Sequence, residues 1–200
     1  MNHYFTNNDN LKKTKNTFLV EFKKYTYTFS TLTGVFSKSK ADEGSLLLLE
    51  SVPSNKKVVI DMGAGYGLIS IVYAKENPNS LVYAYEINLD ALSLVKESSI
   101  KNQVNNIIAS YSDGFNSVDI TADLIIINPP IKAGKKVYYK MFEDSIKHLR
   151  DDGIFMIVMK KNHGALSALD KLKSLYDVVD IVRKKRGFYV IKAQKSKFTS

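Results

Sequence analysis

Four short clusters in this chain combine residue types that bind or transform small molecules. The first is Asp61-Met62-Gly63-Ala64-Gly65-Tyr66-Gly67, a carboxylate and three glycines at alternate positions, directly after the apolar run Val58-Val59-Ile60. Glycines let the chain turn with positive φ and let a ligand lie against bare main chain, and an apolar helical stretch opens at Leu68. The second is Glu86, 19 residues after Gly67 at the end of another apolar run. An acid there can accept both hydroxyls of an adenosine ribose. The third is Asp113, able to accept from an adenine amine or, with Gly114, to form an ordinary turn. The fourth is Asn128-Pro129-Pro130 after the run Leu124 to Ile127. Prolines remove amide donors and fix φ at about −65°, which leaves the Asn128 carbonyl and the Pro129 carbonyl as rigid acceptors. Two such acceptors can hold both hydrogens of an NH2 group and aim its lone pair. A nicotinamide dehydrogenase needs no such clamp and would want Gly-x-Gly-x-x-Gly; here the third glycine comes one residue early.

These clusters meet only if each stands at a strand end on one edge of a sheet. Short apolar runs at 58–60, 81–85, 107–109, 124–127 and 154–159 alternate with helical stretches at 68–76, after the cap Asn88, at Val137, Met141, Ser145 and Leu149, and at 165–176. That alternation predicts an α/β fold with an open, mostly parallel, Rossmann-like sheet and helices on both faces. Ligands of such sheets bind at the carboxyl ends of the strands. Two last strands, 178–182 and 189–193, are joined by Arg183-Lys184-Lys185-Arg186-Gly187, a link short enough to require an antiparallel hairpin. Near the N-terminus, Phe18, Val20, Phe22 and then Tyr25, Tyr27, Phe29 alternate with polar neighbours, which predicts a small hairpin turning at Lys23-Lys24. Residues 1–32 then form a β extension packed on a domain spanning 33–200, a single domain overall. Leu46 to Leu49 reads as a short buried helix.

The chain has 200 residues, enough for one full core, and a net charge of +9. Without cysteine it can form neither disulfides nor thiolate metal sites, and His3, His148 and His163 lack ligand spacing. No metal and no membrane partner is expected, and the N-terminus lacks a signal-peptide pattern, so a cytoplasmic location is expected. Basic charge is concentrated: residues 183–200 carry seven Lys/Arg and no acid, and 131–150 carry six against two acids. Such clustering is the footprint of a polyanionic partner. Lys132, Lys135 and Lys136, and Arg183, Lys184, Lys185 and Arg186 are the candidate phosphate contacts.

In this order, DMGAGYG, Glu86, Asp113 and NPP resemble the motifs of class I S-adenosylmethionine-dependent methyltransferases, NPP being that of members acting on planar exocyclic or amide nitrogens. Gly34-Val35-Phe36-Ser37, the Asp42-Glu43-Gly44-Ser45 leader and the opening His3-Tyr4-Phe5-Thr6 resemble the RsmC-like group, guanine-N2 methyltransferases of small-subunit ribosomal RNA. The resemblance covers nearly the whole chain, and is to the short single-domain bacterial type. It implies S-adenosylmethionine as cofactor, with Asp61, Gly63 and Gly65 around its methionine part, Ala64 and Gly67 completing the turn, Glu86 on the ribose and Asp113 on the adenine. Asn128 and Pro129, followed by Pro130, would orient the target amine beside the cofactor. Ribosomal RNA or the small subunit is the implied partner. Two positions depart from the pattern. Ala64 replaces a frequent cysteine, a small-for-small change. Ile131 stands where many relatives have a stacking Tyr or Phe, and stacking is worth about 1–3 kcal/mol per base; Phe36 is the expected substitute. Two other readings stay open: methylation of a protein glutamine amide, and an RNA-binding ribosome assembly factor without turnover.

Overall fold

The computed structural model describes residues 14–32 and 41–195. Two strands open it, β1 (Lys15–Phe22) and β2 (Tyr25–Leu32), paired antiparallel about Lys23-Lys24, with Lys23 at φ 50°. Alternation works as expected: Phe18, Val20, Phe22, Tyr27 and Phe29 are buried while Leu19 is exposed. Then follow α1 (Glu43–Leu49), β3 (Val58–Met62), α2 (Leu68–Glu76), β4 (Leu81–Glu86), α3 (Leu89–Lys101), β5 (Ile107–Tyr111), β6 (Ala122–Ile127), α4 (Lys135–Ser145), β7 (Leu149–Lys160), α5 (Ala165–Lys173), β8 (Val178–Lys185) and β9 (Phe188–Gln194). Seven strands form one sheet in the order β5-β4-β3-β6-β7-β9-β8. All its pairings are parallel except those of β9 with β7 and β8.

The two-residue period of the central strands divides the core into two layers. Val59, Leu124, Ile126 and Met156 face the hairpin, α1 and α2; Ile60, Ile125, Ile127, Phe155 and Ile157 face α4 and α5. Leu124 to Ile127 is wholly buried, as an apolar run inside a two-sided parallel sheet must be. The hairpin belongs to the first layer and is tied to α3, where the Asn102 side chain bonds both the amide and the carbonyl of Thr28. Helix α1 sits close on β9: a Cβ at Gly44 would meet the Phe188 ring at 2.9 Å.

Three sequence expectations shift. Leu149 continues the four-residue spacing of Val137, Met141 and Ser145, yet a 3-10 turn over Ile146–His148 ends the helix and Leu149 opens β7. Helix α5 stops at Lys173, where the Ser174 amide bonds the Asp170 and Lys171 carbonyls, short of Tyr176. Arg183, Lys184 and Lys185 extend strand β8, so the hairpin tip is Arg186-Gly187 alone. Among the described residues no helix is long and apolar enough to cross a membrane, and no group of three acidic or histidine side chains is placed to hold a metal.

Candidate active site

Strand order reverses between β3 and β6, and the loops leaving these two strands border one cleft. Met62 pairs with Ile127, so the glycine turn and Asn128 leave the sheet side by side. The cleft holds about 280 Å³ and is lined by Gly63, Glu86, Asp113, Asn128 and Pro130, with Ile87, Phe115, Val137 and Met141 giving an apolar wall. That lies just under the usual range of small-molecule sites, about 300–1,000 Å³. Four predicted clusters therefore converge.

The glycine turn is held from below. The Gly63 and Ala64 amides both donate to the Tyr85 carbonyl, at 2.8 and 3.0 Å, and the Gly67 amide donates to the Ala64 carbonyl. Gly63 has φ 74°, and a Cβ there would meet nothing nearer than Met141 Cε at 4.0 Å. Its bare main chain borders open cleft, as close ligand approach requires. Gly67 has another purpose. At φ 93° it begins α2, and a Cβ would press on Ile71 at 3.0 Å and Val95 at 3.3 Å. Tyr66 anchors the turn to the hairpin by edge-on contacts with Phe18 and Phe29.

Glu86 is the fixed acid of the site. Its two oxygens accept the amides of Gly65 at 2.8 Å and Asn88 at 2.9 Å. Burial raises its pKa, and those amide bonds act the other way. A carboxylate accepts up to about four hydrogen bonds, so this one keeps capacity for a vicinal diol at the cleft wall. Asp113 lies exposed on the rim, in the turn after β5. An immobilised acid, a bare glycine, an apolar wall and a rim acid fit the ribose, methionine and adenine parts of S-adenosylmethionine.

Asp61 is not among the cleft-lining residues. Strand alternation sends its side chain, with that of Val59, toward α2, where the Ser70 hydroxyl bonds it. It is wholly buried, and desolvation pushes its pKa up to about 7 against the effect of that hydrogen bond. Ala64, Gly65, Gly67 and Pro129 are also not among the cleft-lining residues; Ala64 follows Gly63 and Pro129 stands between Asn128 and Pro130, which are.

At the other end of the cleft, the Asn128 amide nitrogen donates to Asp42 Oδ2 at 3.0 Å and Ser45 Oγ at 2.8 Å. A carboxylate only accepts, so the nitrogen must face Asp42 and the amide oxygen turns away from α1. Asp42 Oδ2 also accepts the Ser45 amide at 2.8 Å and so caps α1. In the sequence Asp42 and Ser45 mark only a leader before the helix; the Asp-x-x-Ser spacing signals a cap, not its second use on a residue 86 positions away. Ile131 is half-buried against the core beside α4, and Phe36 lies outside the described residues. Lys132, Lys135 and Lys136 are exposed just beyond the clamp. Arg183 and Arg186 are engaged by Glu50 at 2.8 Å and Glu43 at 3.1 Å.

Residues 26–192 match the family described as methyltransferase small domain. The chain is 38% identical over 197 residues to the uncharacterized protein YbxB of Bacillus subtilis, covering 96% of this chain and 98% of that one. It is 29% identical over 182 residues to ribosomal RNA small subunit methyltransferase C of Vibrio cholerae, covering 89% of this chain and 52% of that protein. Among solved structures, the Thermus thermophilus 16S rRNA N2 G1207 methyltransferase RsmC, in complex with AdoMet and guanosine, superposes with a TM-score of 0.80 at 25% identity, over 90% of this chain and 50% of that one. The chain thus spans about half the length of the RsmC proteins it matches. On its motif match and its fold, the chain belongs to the methyltransferase small domain family, whose cofactor is S-adenosylmethionine.

Proposed function

We propose that this protein methylates the exocyclic N2 amine of a guanine in small-subunit ribosomal RNA. The observation that carries the reading is the anchored Asn128 amide at the mouth of a cleft that fits the cofactor. Its oxygen and the Pro129 carbonyl are the acceptor pair for the target NH2. The RsmC likeness supports guanine as the base, and the basic charge supports RNA as the carrier.

When bound, S-adenosylmethionine supplies an electrophilic methyl group on a sulfonium. The protein positions the other reactant. Guanine N2 is a weak nucleophile because its lone pair is delocalised into the ring. Two acceptors on its hydrogens favour a more pyramidal nitrogen and restrict its rotation, so the lone pair points at the methyl carbon. Orientation of this kind provides much of the rate in a two-reactant step. The base must leave its stack, or be met unpaired, to enter the cleft. After transfer the nitrogen gives up one proton to water, and no covalent bond to the protein forms.

Replacing Asn128 with Ala separates the two halves of the site. Turnover on RNA should fall by about 100-fold, in line with loss of an oriented hydrogen bond at the reacting centre, while cofactor affinity measured by calorimetry stays within a few-fold. Equal loss of both would count against the clamp.

A further inference from the structure

Three segments free of acidic residues, 131–142, 156–169 and 181–194, reach the same edge of the sheet. Strand β6 ends at the clamp, β7 beside it ends at Lys160, and Lys160 pairs with Phe188 at the start of β9. Lys185 at the end of β8 pairs with the same Phe188. The carboxyl edge from β6 to β8 is thus three strand spacings wide, about 14 Å, and it begins at Asn128.

The cations on this edge are of two kinds. Arg183 and Arg186 are paired with Glu50 and Glu43, and Lys185 lies 3.9 Å from Glu50; these charges are largely cancelled on the α1 side. Lys132, Lys135, Lys136, Lys160, Lys161 and Lys184 have no carboxylate partner among the described residues. Three of them rest on rings: Lys135 on Tyr139 at 4.9 Å, Lys160 on Phe188 at 4.8 Å and Lys184 on Tyr189 at 5.0 Å. Such lysines keep their charge available and their stems ordered, which lowers the entropic cost of meeting a phosphate.

We propose that these six lysines form the track for the RNA backbone flanking the target base. The strand runs from the start of α4 across the end of β7 to the β8–β9 hairpin. The proposal rests on the RNA reading above and sharpens it in two respects: Lys160 and Lys161 join the contacts, and Arg183, Lys185 and Arg186 leave them. Phosphate neutralisation positions the strand without reading its sequence.

The test is a titration of fluorescently labelled single-stranded small-subunit rRNA fragments by anisotropy over a salt series. Each track lysine that neutralises one phosphate lowers the slope of log K against log salt by about 0.7, equivalent to about fivefold in affinity near 0.1 M salt. Lys160→Ala/Lys161→Ala should therefore bind about 25-fold more weakly with a slope shallower by about 1.4. Removing an ion pair with no change of net charge, as in Arg186→Gln/Glu43→Gln, should leave both quantities as they are. The lysine variant binding like the parent, or the pair variant losing as much as the lysine variant, overturns the track; so does a parent protein with no affinity for RNA. Methyl transfer is scored in parallel. Transfer to RNA with unaltered binding by the lysine variant sinks the track and spares the guanine reading. Weakened binding by the variant, with the parent's methyl group found in protein, keeps the track and sinks the guanine reading.

Discussion

The Asp42 carboxylate is the point at which helix capping and the proposed chemistry depend on one atom, and Asp42→Asn separates them. Asp42 Oδ2 receives three donors: the Ser45 amide at 2.8 Å, the Ser45 hydroxyl at 3.1 Å and the Asn128 amide at 3.0 Å. Asparagine is as good an N-cap as aspartate, so α1 should keep its start. Asn128, however, then faces a neutral amide that can present either its oxygen or its nitrogen. The obligation that holds the Asn128 nitrogen toward α1 is gone, and a flipped Asn128 offers a donor where the target amine needs an acceptor. A hydrogen bond to a charged group contributes about 1.5–3 kcal/mol, and at about 1.4 kcal/mol per factor of ten the expected loss in kcat is about 10- to 150-fold. KM for RNA and cofactor affinity should change little. Because the effect acts through Asn128, it should vanish in an Asn128→Ala background, leaving the double variant no slower than Asn128→Ala alone. Such non-additivity is the signature of one shared interaction. The assay is single-turnover methyl transfer, with the side-chain NH2 resonances of Asn128 followed by NMR; they should shift in Asp42→Asn. Full activity in Asp42→Asn, or additive losses in the double variant, would refute the reasoning. Asp42→Ala should in addition lose the cap, about 1 kcal/mol, or about 2–4 °C in Tm for a chain of this size.

Two further outcomes concern stability. The buried Asp61 carboxyl, pushed up to about 7 by desolvation, binds its proton more tightly in the folded than in the unfolded chain. Its contribution is therefore fully present below the unfolded value near 3.8 and is lost as pH rises through about 7. Urea denaturation across that window should show the decline, and Asp61→Asn, which keeps a partner for Ser70, should flatten it; an identical pH profile in the variant would show that another group carries the effect. The Tyr27 hydroxyl is buried with no hydrogen-bond partner among the described residues. Tyr27→Phe should thus stabilise by about 1 kcal/mol and raise Tm by about 2–4 °C; a lowered Tm would mean the hydroxyl has a partner.

Local pattern carried the sheet into view because each central strand is a short, continuous apolar run closed by a polar residue with a special property. Glu86, Asp113 and Asn128 all stand at such closures, and the structure brings them to one cleft. Asp61 was recognisable as an acid of the turn, but its direction follows from counting by two from Val59, which sends it to Ser70 instead of the cleft. Leu149 misled because a spacing of four can run across a helix end into the next strand; the 3-10 turn between them has no mark in an apolar pattern. What could not be read was pairing at long range. Nothing near Asn128 in the chain indicates Asp42, and nothing in the basic run 183–186 indicates that two of its charges are met far earlier in the chain by Glu43 of α1 and by Glu50 just after it. Charge counts along the chain register how many cations there are, and only the fold sorts the engaged from the available.

The central claim is the destination of the methyl group. Small ribosomal subunits from cells lacking this protein, incubated with it and S-adenosylmethionine labelled in the methyl group, should take label into the RNA, and nuclease digestion should return it as N2-methylguanosine. Label recovered in protein as methylglutamine, or no label in the subunit from protein that binds the cofactor, would contradict the account.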